Sequence, residues 1–202
     1  MPGNRSVFYK VIKKGHNAAW DGQWKKAAEE YRRALAEFPD DPAVRASLAQ
    51  ALEELGQWES ALKEYQNLAK VRARDPMPLA RVAALQEKLG RRSEASTTYF
   101  GVADLFLQSK QLARAFEAWK KAGELEPDRA EVHQRLAEIY VRRGQSALAA
   151  LEYLELAHIF RKRGDVIQAR ALAEQALGVD PNNLAARALI AEMGRAASVP
   201  AS

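Results

Sequence analysis

The chain of 202 residues contains no cysteine, which removes disulfide frameworks and thiolate metal sites and suits a reducing compartment. It has no run of eighteen apolar residues, and its opening stretch MPGNRSVFYKVIKKG holds no apolar segment of signal-peptide length. A cytoplasmic protein without a membrane segment is the expectation. Val, Ile and Thr are scarce beside Ala, Leu, Glu, Arg, Lys and Gln, so helix is favoured and β-structure has little to build on. With 48% hydrophobic residues, the chain can bury one sizeable core or stack several small units, so as a whole it is not a disordered segment.

Histidine is nearly absent too. His16, His133 and His158 fall on separate expected helices, without the close His/Glu spacing of a zinc helix, so no metal site is expected. Glu53-Glu54, Glu124 with Glu126, and Glu152 with Glu155 read as charged helix faces rather than acid/base pairs. GRRSEAS and GQSALAA lack the lysine and serine/threonine arrangement of a phosphate loop. No catalytic residue and no cofactor is therefore expected; the chain reads as a non-enzyme.

The net charge of +5 is dispersed: +3 over residues 1–40, −1 over 41–75, +2 over 76–129 and +1 over 130–202. The runs Arg91-Arg92, Arg142-Arg143 and Arg161-Lys162-Arg163 sit where helices are expected to end or begin. Cations at helix C-termini gain about 0.3–1 kcal/mol each from the macrodipole. Aromatic residues are not interleaved with the arginines as a nucleic-acid stacking platform requires, which leaves a basic nucleic-acid-binding accessory protein as a secondary reading.

What is present is a repeat. GQWKKAAEEY at 22–31 returns as GQWESALKEY at 56–65, aligning Gly22 with Gly56, Trp24 with Trp58, Ala27 with Ala61 and Tyr31 with Tyr65 at a spacing of thirty-four. Ala27, Ala28, Tyr31, Ala34, Leu35 and Phe38 recur at helical spacing before FPDDP stops the helix. Val44, Leu48, Ala49, Ala51, Leu52 and Leu55 form a second helical stripe, and Gly56 stands just past its end, where a left-handed cap suits glycine. Each unit is a helical hairpin. Alanine or glycine at the crossing lets the two backbones approach, and tyrosine or tryptophan fills the gap one turn away.

After residue 76 the simple period fails, since only twenty residues separate Gly90 from Lys110. SEASTTYFGVADLFLQSK reads as one helix of about seventeen residues, shared between two repeats, and SALAALEYLELAHIFRKRG does the same. Gly90 and Gly144, Tyr99 and Tyr153, Ala115 and Ala169, and Pro127 and Pro181 are each fifty-four apart. The expected organisation within one continuous repeat domain is two hairpins (1–75), a three-helix unit (76–129), its duplicate (130–183), a closing helix (184–195) and a disordered tail (196–202). An odd number of helices per unit reverses the next one. The shared helices are apolar nearly all round, through Tyr99, Phe100, Val102, Leu105, Phe106 and Leu107, and through Leu151, Tyr153, Leu154, Leu156, Ile159 and Phe160. They read as core, or else as a groove for a partner.

Gly15, Gly22, Ala27, Tyr31, Ala34 and Pro39 in the first unit, and Leu48, Ala49, Gly56, Ala61 and Tyr65 in the second, resemble the tetratricopeptide repeat. Lys14, Arg45 and Leu68 depart from its pattern and suggest a looser first helix with one wet face. The resemblance implies an all-α helical-hairpin repeat, a tetratricopeptide-like α-solenoid of about eleven antiparallel helices. It also implies a scaffold or adaptor that binds a peptide or partner helix on a concave surface lined by first helices, without a cofactor. Helical spacing places Tyr9, Ile12, His16 and Trp20 on that surface, then Ala43, Ala46, Gln50 and Glu53, then Met77, Ala80, Ala84 and Lys88. Trp20 reads equally as an anchor and as a cap against Trp24. A subclass of the family clamps a terminal carboxylate with lysine and asparagine; Lys13 and Arg81 stand near such places, but His16 and Gln50 replace the asparagines. Self-assembly through an uncapped repeat end is the alternative within binding.

Overall fold

The computed structural model describes residues 4–197. They form eleven helices and no strand: α1 (Arg5–Trp20), α2 (Trp24–Glu37), α3 (Pro42–Glu54), α4 (Trp58–Val71), α5 (Pro76–Lys88), α6 (Arg92–Gln108), α7 (Leu112–Leu125), α8 (Ala130–Arg142), α9 (Ser146–Lys162), α10 (Val166–Val179) and α11 (Leu184–Ala197). The chain divides into two compact units, Met1–Gln111 with α1 to α6 and Leu112–Ser202 with α7 to α11. The all-α repeat expected from the sequence is what forms.

Two kinds of joint set the helix lengths. After α1, α3, α5, α6, α8 and α9 the chain makes the same left-handed turn. Gly22 N–H donates to the Ala19 carbonyl and Gln23 N–H to that of Ala18, and the five other turns repeat this pair of bonds. This satisfies carbonyls that a helix end otherwise leaves open. The residue that carries the positive φ is Gly22, Gly56, Gly90, Gly144 or Gly164, and in one turn Lys110. The other joint is a polar N-cap. Asp41 accepts from the N–H groups of Ala43 and Val44 ahead of Pro42, and Asp75 accepts from Met77 N–H ahead of Pro76. Proline at the first helical position loses nothing, because its missing N–H would have had no helical partner.

The thirty-four-residue register runs further than the sequence suggested. Gly90 and Tyr99 continue the series of Gly22 and Gly56 and of Tyr31 and Tyr65, and the hairpin α5–α6 is regular; the period breaks only at the end of α6. Helices α6 and α9 are each single and seventeen residues long. They are not buried all round. Tyr99, Phe100, Leu105, Tyr153 and Phe160 are half-buried, while Leu107 and Leu151 are exposed. The closing helix extends to Ala197, past the expected 195; of the expected tail, residues 198–202 lie outside the described residues.

The first unit packs aromatic residues among small ones. Phe8 meets Phe38 edge to face at 4.7 Å, and Tyr31 and Tyr65 lie buried beside Ala27, Ala49 and Ala61. The core cluster of the second unit is built chiefly of alanines, Ala150, Ala157, Ala169, Ala173, Ala176 and Ala186 among them, with Leu154, Leu172 and Met193. Small residues permit close helix approach at near-crystalline packing density.

Arg45 does not open a wet face. Its guanidinium lies 2.7 Å from the Glu64 carboxylate, both side chains under one-fifth exposed, and it also donates to the Pro39 carbonyl. Leu68 is likewise buried, and of the three departures only Lys14 is exposed. In the second unit His133 stands in the same relation to Pro127 and Glu152 as Arg45 to Pro39 and Glu64, and Arg187 repeats the bond to a proline carbonyl at Pro181. A basic side chain thus ties the preceding turn to the following helix. The run Arg91-Arg92 lies at the start of α6, where the macrodipole disfavours cations, and Arg91 is held by Glu59 at 2.6 Å.

Candidate protein-binding face

Helix α1 buries Phe8, Val11, Gly15 and Ala18, a stripe at helical spacing. This turns Tyr9, His16 and Trp20 outward: Tyr9 is 67% and Trp20 92% exposed. At that exposure Trp20 is not a cap packed on Trp24, whose ring is partly buried against the core. Ile12 is half-buried and belongs to the core margin. The His16 ring meets the edge of Tyr31 at 5.6 Å between centroids.

On α3, Ala43 and Gln50 are exposed and Ala46 half-buried. Glu53 is half-buried and accepts the Tyr65 hydroxyl at 2.9 Å. Burial, and then the bond to that carboxylate, pushes the Tyr65 hydroxyl pKa far above its ordinary value. The residue that shares Trp20's register is Glu54, which is exposed. Glu87 and Tyr99 repeat the Glu53–Tyr65 bond one repeat later, also at 2.9 Å.

On α5, Met77 is 50% exposed, Ala84 is exposed and Ala80 half-buried. The Lys88 ammonium lies 3.5 Å from the centre of the Trp58 ring, a cation–π contact that joins α5 to α4. Lys13 and Arg81 are both exposed. Equivalent positions of three first helices therefore carry a large aromatic end on α1 and small side chains at Ala43, Ala46, Ala80 and Ala84. Small floors beside exposed aromatics suit apolar side chains of a polypeptide, with Gln50 able to donate and accept hydrogen bonds.

A second surface escaped the sequence reading. Arg32 of α2 and Lys63 of α4 flank a groove of about 510 Å³ floored by Leu48 and Leu52 of α3. One repeat on, Gln66, Leu79, Val82, Gln86 and Thr98 line the equivalent groove. The spacing of thirty-four between the lining residues marks this groove in the sequence, where the second helices otherwise read as packing elements. Among the described residues no group of three His, Asp or Glu could hold a metal ion, and no helix is long and apolar enough to cross a membrane.

A tetratricopeptide repeat family model matches residues 21–89, and a second one matches residues 153–183. No curated protein matches the chain. Among solved structures, PcrH from Pseudomonas aeruginosa is similar at 20% identity with a TM-score of 0.50, over 60% of this chain and 93% of that one. A tetratricopeptide repeat protein from Parabacteroides merdae matches at 15% identity and TM-score 0.45, over 94% and 99% of the two chains. MamA 41-end from Desulfovibrio magneticus RS-1 matches at 15% identity and TM-score 0.44, over 91% and 99%. With the thirty-four-residue hairpins, their glycine turns and their buried alanine–tyrosine crossings in place, the chain carries tetratricopeptide repeats over residues 21–89 and 153–183.

Proposed function

We propose that this protein is a non-enzymatic scaffold that binds a polypeptide on the first-helix face of α1, α3 and α5, anchored at Tyr9, His16 and Trp20. The observation that carries this reading is the exposure of Trp20 at 92% and of Tyr9 at 67%. Interface energy concentrates in Trp, Tyr and Arg, and an exposed Trp and Tyr on one helix have a favourable contact to gain by being covered. Ala46, Gln50, Glu53, Met77 and Lys88 extend the face, with Glu53 and Lys88 partly committed to Tyr65 and Trp58.

The distribution of charge favours a protein partner over nucleic acid. Arg45, Arg91, Arg161 and Lys162 are ion-paired to Glu64, Glu59, Glu192 and Asp128, which removes cations from any continuous phosphate-binding track. Association of copies remains the second reading, supported by the exposed Ile167 and Leu184 of the second unit. A cytoplasmic setting accords with both readings.

Site-specific photocrosslinking tests the face. A benzoylphenylalanine at Trp20 is compared with one at Lys63, in the groove between α2 and α4, in cells of the source organism. A crosslinked polypeptide formed from position 20 and lost with Tyr9→Ala supports the assignment. Equal yield from both positions, or products from position 63 alone, discards it.

A further inference from the structure

Five helices of this chain occupy the first place of a hairpin in one register: α1, α3, α5, α8 and α11. Gly15, Ala49, Ala83, Ala137 and Ala191 are their equivalent crossing residues. The first four are buried, and Ala49, Ala83 and Ala137 are fully so. The reason is visible at Gly15, where an added Cβ would stand 2.7 Å from the ring of Tyr31. Tyr31 of the following helix lies on this crossing residue, and Tyr65, Tyr99 and Tyr153 hold the equivalent positions in the helices that follow α3, α5 and α8. Ala191, by contrast, is exposed.

The neighbouring positions agree. Leu48 and Leu136 are buried, while their equivalent Ile190 is half-buried. Arg45 and His133 each reach a proline carbonyl behind them and a glutamate on the helix that follows, Glu64 and Glu152. Arg187 makes the bond to the Pro181 carbonyl, is exposed, and has no ion-pair partner among the described residues. Glu192 on the same helix is engaged by Arg161 at 3.1 Å and does not compete. Helix α11 packs on α10 and leaves open the side that α4 covers on α3 and α9 covers on α8.

We infer that this side of α11 is a docking site for a helix supplied by another polypeptide and carrying the pattern Ala-x-x-Glu-Tyr-x-x-Leu. The pattern is read from the two helices that cover the equivalent sites, as Ala61, Glu64, Tyr65 and Leu68 and as Ala149, Glu152, Tyr153 and Leu156. The partner's glutamate pairs with Arg187, its tyrosine lies on Ala191, and its alanine permits the close crossing. This surface belongs to the second unit, and the aromatic face of α1 to the first.

The test uses the full chain and a fluorescein-labelled peptide of residues 146–162 as the probe, read by fluorescence anisotropy. Saturable binding is expected, weakened at least tenfold by Arg187→Glu and by Ala191→Arg, each checked for unchanged helicity by circular dichroism. A peptide carrying Glu152→Arg should regain affinity for Arg187→Glu, and Trp20→Ala should leave binding unaltered. Absence of saturable binding, or equal binding to wild type and both α11 variants, overturns the proposal. So does a wild-type dimer that Arg187→Glu dissociates, since a second copy would then cover α11.

Discussion

His133 Nδ1 lies 2.7 Å from the Glu152 carboxylate, while the opposite ring nitrogen lies 2.7 Å from the Pro127 carbonyl. Two acceptors flank one imidazole, and only the doubly protonated ring can donate to both. Arg45 fills the equivalent place in the first unit as a permanent cation.

That arrangement makes the second unit pH-dependent. Burial alone would lower the His133 pKa, but the bonds to Glu152 and Pro127, aided by Glu155, outweigh it and raise the value above 6.5. The histidinium therefore contributes its full stabilisation below the unfolded-state pKa, and the contribution is lost as pH rises through the folded-state value. Urea midpoints should fall between about pH 5.5 and about pH 8.5 in wild type and change less in His133→Arg. Equal pH dependence in the two proteins would contradict the pairing.

Lys110 is the one non-glycine among the described residues with a positive φ, at 60°, and it closes the same turn that Gly164 closes at 85°. Lys110→Gly should stabilise the protein by about 1 kcal/mol, since an L side chain is strained there. Gly164→Lys should cost a similar amount. Paired denaturation curves check both signs.

Gly15 and Gly178 separate crowding from propensity. Alanine at 178 meets nothing within 4 Å and should gain up to about 1 kcal/mol of helix propensity. Alanine at 15 gains the same propensity but drives into the buried Tyr31 ring, and overpacking of about 1–3 kcal/mol should reverse the sign. A smaller residue at the ring position, Tyr31→Leu, should then make the two substitutions less than additive. Calorimetric midpoints of the single and double variants decide.

The half-buried Arg45–Glu64 pair has a built-in replacement in its register, Leu79 with Thr98. Glu64→Ala alone should cost about 1–3 kcal/mol by leaving a partly buried cation without its carboxylate. Arg45→Leu with Glu64→Thr should recover most of the loss. A double-mutant cycle in urea measures the coupling, and fully additive effects would show that the pair contributes nothing specific.

Much of this fold could be read in advance because its signals are local. Gly22, Gly56, Trp24, Trp58, Tyr31 and Tyr65 mark the hairpins, and the lack of a breaker from Arg92 to Gln108 shows that α6 is single. What could not be read depends on partners distant in sequence. Arg45 looked like a departure because Glu64, nineteen residues on, gives no sign of pairing with it. Lys110 carries no mark of a left-handed conformation. For the candidate face, helical projection resolves positions only to within about one residue, 100° of arc. Tyr9, His16 and Trp20 tolerated that uncertainty, whereas Glu53 and Glu54 did not: the first points towards Tyr65 and the second is exposed.

The six left-handed turns make every one of their cross-bonds from the backbone, so they place few demands on the side chains around them. Such a joint is interchangeable: what it closes can be the first helix of a pair, as at Gly144, or a shared helix, as at Gly164. Twenty residues, a helix and its joint, separate Gly144 from Gly164, and the same twenty separate Gly90 from Lys110. A hairpin array built in this way can gain or lose one helix without new capping chemistry. Each such change reverses the direction in which the next helix runs, so that at a given edge of the array an N-terminus with open N–H groups stands where a C-terminus with open carbonyls stood, or the reverse.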